Sequence, residues 1–141
     1  MGSFAKLLSI LLLSVHAPSG MAQAANRNVS PAEVDELLKA AVETESPGAL
    51  KLRGFGFEPP SQLPDKYYPR FHIYQAIWDN IGGSVNLGFY ALDPLTLDIW
   101  NGVVCHEIKS PKLETIQREI RKRIGLSYTE YKKLRVSGPE C

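Results

Sequence analysis

Phe71-His72-Ile73-Tyr74-Gln75-Ala76-Ile77-Trp78 leads into Asp79-Asn80-Ile81-Gly82-Gly83, and that into Ser84-Val85-Asn86-Leu87-Gly88-Phe89-Tyr90-Ala91. The first run carries apolar side chains at both parities, which suits a strand inside a sheet. The Asn and Gly residues between the runs predict a turn. In the second run Val85, Leu87, Phe89 and Ala91 alternate with Ser84, Asn86, Gly88 and Tyr90, the pattern of a strand with one face on the core. Asp93-Pro94-Leu95-Thr96 predicts another reversal, after which Ile99 to Cys105 returns as a third strand. Three consecutive antiparallel strands make a meander.

Upstream, Ser30-Pro31-Ala32-Glu33 combines a helix cap, a proline fit for the first turn and a glutamate that completes a capping box. Val34, Leu37, Leu38, Ala41 and Val42 follow at helical spacing and predict an amphipathic helix over residues 31 to 44, closed by Ser46-Pro47-Gly48. Residues 50 to 57 read as a short extended stretch weakened by Gly54 and Gly56, and the stretch from Pro59 to Pro69 as an irregular connection. Downstream, Ser110-Pro111 opens a helix with Leu113, Ile116, Ile120 and Ile124 on one stripe and Gly125 as terminator. Ser127-Tyr128-Thr129-Glu130 is a second capping box, opening a short helix to about Arg135. The fold class is therefore α+β: an N-terminal helix, a three- to four-stranded antiparallel meander, and two C-terminal helices packed on the sheet.

A capped, alanine-rich helix followed by strands that close on Asp93, Pro94, Thr96, Asp98 and Ile99 resembles the PepSY-type domain over roughly residues 30 to 100. Leu97 stands where that family has glycine, and a left-handed backbone there is strained for leucine. The resemblance implies an exported module that binds or restrains proteases and other envelope proteins rather than a catalyst.

Export is read from residue 1 onward. Lys6 precedes the apolar run Leu7 to Val15, too short to span a bilayer, and Ala22-Gln23-Ala24 matches the small-x-small rule for signal peptidase. Residues 1–24 are expected to be a signal peptide and residues 25–141 a single small domain, periplasmic or secreted, with residues 25–29 a loose leader. Loss of Lys6 takes the 16 basic side chains of the chain to 15, level with its 15 acids. A neutral protein is a poor general binder of nucleic acid. The charge is uneven, however. Glu33, Asp35, Glu36, Glu43 and Glu45 face only Lys39 in residues 31–48, whereas eight basic residues between Lys112 and Arg135 meet Glu114, Glu119 and Glu130. Such a basic face is either ordinary solvated surface or a site for an acidic partner or anionic polymer.

Cys105 and Cys141 are the only cysteines. In an oxidising compartment they predict one disulfide, worth on the order of 3–4 kcal/mol through loop closure. His106 beside Cys105 suggests a thiol nucleophile, but neighbouring strand residues point to opposite faces, so the pair is not expected to converge. His72 and His106 sit in no metal-binding spacing, and no phosphate loop, nucleophile elbow or paired-carboxylate motif occurs. No catalytic residue, metal or cofactor is assigned. Tyr67, Tyr68, Tyr74, Trp78, Tyr90 and Trp100 exceed what one face of a three-stranded sheet buries, so Tyr74, Trp78, Tyr90 and Trp100 are candidates for a partner-binding face. The expected function is a non-enzymatic binding or inhibitory module acting on another envelope or secreted protein. A self-associating structural factor of the envelope and a small envelope hydrolase are the alternatives.

Overall fold

A computed structural model describes residues 28–58 and 70–139. The signal segment 1–24, the connection between Pro59 and Pro69, and Cys141 lie outside these residues.

Helix α1, Pro31–Glu45, starts as the capping box dictates: the Glu33 N–H donates to Ser30 Oγ at 3.3 Å, and the Ser30 N–H donates to the Glu33 carboxylate at 2.8 Å. Its stripe buries Leu37, Leu38, Ala41 and Val42, with Ala40 beside them. The extended stretch expected over residues 50–57 divides. Ala49–Lys51 closes a 3-10 turn, and strand β1 spans Phe55–Glu58. Gly54 lets β1 approach the end of the next strand, since a Cβ there would lie 2.7 Å from the Asp79 carbonyl oxygen.

β2, His72–Asn80, and β3, Gly83–Leu92, form a hairpin, and β4 spans Ile99–Asn101. The sheet is antiparallel in the order β1-β2-β3-β4. Register shifts once, between Ala76 and Ile77, where Leu87 is the extra residue of a bulge. β4 ends sooner than the sequence pattern suggests. The Asn101 side-chain oxygen accepts the N–H groups of Val103 and Val104, the Cys105 N–H donates to the Asn101 carbonyl, and the chain turns back until Glu107 bridges Trp100. Cys105 thus belongs to a turn, at φ 55°, and not to a strand. Strand alternation therefore does not separate its side chain from His106, which is held by Glu45 at 3.0 Å.

Helices α2, Pro111–Arg123, and α3, Tyr128–Leu134, complete the chain, and the Ser127/Glu130 capping box of α3 is formed. Leu113, Ile116, Ile120 and Ile124 are buried as one stripe. They join the α1 stripe and Ala76, Tyr90, Leu92 and Ile99 of the sheet in a single core. The uneven charge of the sequence is resolved between the helices. Glu33 near the start of α1 holds Arg123 at the end of α2, and Glu43 near the end of α1 holds Lys112 at the start of α2, so the helices run antiparallel with an ion pair at each end. On the opposite sheet face Ile77, Ala91 and Trp100 are also buried. There Phe71 meets the Trp100 ring edge-on at 5.2 Å, and a Cβ on Gly138 would lie 2.7 Å from the indole nitrogen.

Leu97 is left-handed, at φ 65°, and fully buried. Relieving a strained leucine gains about 1–2 kcal/mol, while deleting a buried leucine side chain loses about 2–5 kcal/mol. The side chain wins, so Leu97→Gly is expected to lower stability by about 1–3 kcal/mol in urea unfolding despite its better backbone fit.

Candidate functional site

The turn between β3 and β4 is built by two carboxylates. Asp93 folds the loop over itself: its Oδ1 accepts the Leu95 N–H at 2.9 Å, its carbonyl accepts the Leu97 N–H at 2.7 Å, and its own N–H donates to the Asp98 carbonyl at 2.9 Å. Asp93 Oδ2, wholly buried, lies 2.7 Å from Arg70 Nη2 in a charge contact without hydrogen-bond alignment. Arg70 also donates to the Leu134 carbonyl at the end of α3.

Asp98 points the other way, into the junction of α2 and α3. Arg121 Nη2 lies 2.6 Å from Oδ1, the Tyr131 hydroxyl donates at 3.1 Å, and Arg135 Nε is 3.5 Å from Oδ2. Arg121 Nε donates to the Thr96 carbonyl and Gln117 to the Leu97 carbonyl, which accounts for a glutamine on the buried stripe of α2. Burial raises the Asp98 pKa, and the Arg121 charge and the Tyr131 hydrogen bond offset this only in part. Burial would also raise Glu107, but hydrogen bonds from Lys109 and Arg135 outweigh it and hold Glu107 below its ordinary range.

Above Asp98 opens a cleft of about 660 Å³ between α2, α3 and the segment after β4. Its floor is apolar at Ile108 and Leu126, and its wall carries Arg118 and Lys122 from α2 and Tyr128 from α3. Tyr128 is 71% exposed, stacks on Tyr131 at 6.2 Å, and carries Lys132 4.7 Å above its ring. Of the eight basic residues that the sequence sets here, Lys112, Arg121, Arg123 and Arg135 are ion-paired. Arg118 donates to the Thr115 hydroxyl at 3.3 Å, and neither it nor Lys122 has an acidic partner among the described residues.

The four aromatic candidates do not converge. Tyr90 is 2% exposed and Trp100 3%, on opposite faces of the sheet, so neither presents its ring to a partner. Burial and the Glu45 charge push the Tyr90 hydroxyl up to about 12. Tyr74, opposite Tyr90, is partly buried and lines a groove of about 390 Å³ beside Val34 and His72; Trp78, opposite Phe55 and Val85, is also partly buried. Tyr128, Tyr131, Arg118 and Lys122 escaped the sequence reading as a group. The available signal was Tyr128 just behind a capping serine, off the apolar stripe. Cys105 is partly buried in its turn, and its expected partner Cys141 lies outside the described residues. Among the described residues no three His, Cys, Asp or Glu side chains stand close enough to hold a metal ion, and no helix is long and apolar enough to cross a membrane.

The fold has a solved counterpart. The chain is similar, at TM-score 0.58 and 17% identity over 79% of its length and 90% of the other, to a chain in a structure described as a type VI secretion system effector–immunity complex from Pseudomonas protegens. No family model and no curated protein matches the sequence.

Arg121→Met leaves the buried Asp98 carboxylate without its nearest cation and is expected to cost about 3–5 kcal/mol. Glu43→Gln, at an exposed pair, is expected to leave the urea midpoint unchanged. Glu107 and Asp98 also act in opposite directions with pH. Glu107, lowered in the fold, contributes stability above its ordinary value of 4.5 that is lost as pH falls through its folded value. Asp98, raised in the fold, weakens the fold as pH rises through its folded value. Glu107→Gln should therefore reduce the acid-side loss of stability, read as urea midpoints on either side of pH 4.5.

Proposed function

We propose that this chain is an exported inhibitory module that binds another envelope or secreted protein and blocks its action. The observation that carries this reading is the correspondence of nearly the whole fold with a chain of an effector–immunity complex. The surface fits the role. The capping box of α3, the ion pairs between α1 and α2 and the Asp98 cluster fix the α2–α3 region before any partner arrives. Pre-ordered surfaces avoid the entropic cost of ordering side chains and loops on binding. The likeness of residues 30 to 100 to PepSY-type domains supports the same class of role. In this reading residues 1–24 direct export, and Cys105 and Cys141 form a disulfide that ties the turn after β4 to the chain end.

A self-associating role has one observation in its favour. β4 covers only Tyr90, Ala91 and Leu92 of β3, its own outer edge being bridged by Glu107, and residues 83–86 of β3 are exposed beyond it. An uncovered strand edge is a template for pairing.

The test is capture from envelope and secreted extracts by the chain lacking residues 1–24, then reconstitution with the purified captured protein. A one-to-one complex in which the captured protein loses its activity is expected. A chain that captures nothing and dimerises with concentration would replace this reading with self-association. The disulfide has its own measurement: intact mass after alkylation should show no modified cysteine before reduction and two after it.

A further inference from the structure

Resting on the binding reading, we infer that the cleft between α2 and α3 is the surface that meets the partner, and that it receives a segment of protein mixing acidic and apolar side chains. The charge within the cleft is already sorted. Asp98 is neutralised by Arg121 and Arg135, and Glu107 by Lys109 and Arg135. Arg118 and Lys122, one helical turn apart on α2, are left exposed without an acidic partner among the described residues, and Lys132, outside the cleft lining, stands over the Tyr128 ring. Two uncommitted cations thus share the cleft with one exposed aromatic, Tyr128, above a floor of Ile108 and Leu126.

Tyrosine and arginine are the residue types that dominate binding hot spots, because they offer large rigid area together with directed hydrogen bonds. Here Tyr128, Tyr131, Arg118 and Arg121 line one cavity, and its volume lies in the range of built binding sites. The stack of Tyr128 on Tyr131, with the Arg121 guanidinium 4.1 Å from the Tyr131 ring, fixes the wall before binding. Glu114 also lines the cleft and repels a uniformly charged polyanion. Acids placed toward Arg118 and Lys122, with apolar side chains toward Ile108 and Leu126, match both the charge and the floor.

The probe is a fluorescein-labelled Glu-Leu-Glu-Glu-Leu-Glu peptide, read by anisotropy and by amide NMR shifts on the chain lacking residues 1–24. Shifts are expected in residues 107–135 and not in β1. Arg118→Glu/Lys122→Glu should weaken the peptide about tenfold or more. Lys51→Glu/Arg53→Glu, the same change of charge at exposed positions away from the cleft, should not. Equal loss in both variants, or tighter binding of heparin than of the peptide, overturns the inference. The protein partner, once captured, separates the two readings. A partner that binds the Arg118→Glu/Lys122→Glu variant as tightly as the parent overturns the cleft and leaves the inhibitor reading standing. Peptide binding that is specific to the cleft, with no protein partner in any extract, supports the cleft and overturns the inhibitor.

Discussion

The contact between Asp98 and Arg121 organises this molecule. The carboxylate is nearly inaccessible, and burying an ion is unfavourable by several kcal/mol unless its partners are close and well directed. Arg121, Tyr131 and Arg135 offset part of that cost from α2, from α3 and from the residue that ends α3. A turn between two strands thereby fixes where both C-terminal helices sit. Asp93, five residues earlier, makes the matching tie through Arg70 to the carbonyl of Leu134. Neither helix is held by apolar contact alone: α3 buries no residue fully, so its position depends on Tyr131, Leu134 and these polar ties.

This arrangement links folding to function. The charges that place α2 and α3 are consumed inside the molecule, and those that remain project from the same helices into the cleft. The acidic α1 and basic α2, so unequal in the sequence, largely cancel along their shared flank. Only after this cancellation does Arg118 and Lys122 emerge as uncommitted charge.

The elements were legible in the sequence because each is specified locally. Capping boxes at Ser30 and Ser127 mark helix starts within a residue, the 3.6-residue stripes of α1 and α2 are clean, and Asn80 with Gly82 marks the hairpin. Errors fell where a side chain overrides the pattern. Asn101 captures two backbone N–H groups and ends β4 early, although Val103 and Val104 continue the apolar run that suggested a longer strand. Tyr90 and Trp100 depart from the expected exposure for a related reason. The sheet is covered on both faces where β3 meets β4, so Tyr90 and Trp100 bury on opposite sides of it, which a count of aromatics per face does not anticipate. The cleft was beyond reach of the sequence because its residues come from elements 98–135 whose meeting depends on the Asp98 cluster.

Hydrogen–deuterium exchange of the chain alone and in complex with its captured partner locates the surface that meets the partner. Protection concentrated in residues 107–135, with β1 and the tip of the β2–β3 hairpin unchanged, is the result expected. Protection confined to that hairpin, with the α2–α3 segment exchanging as in the free chain, would contradict it.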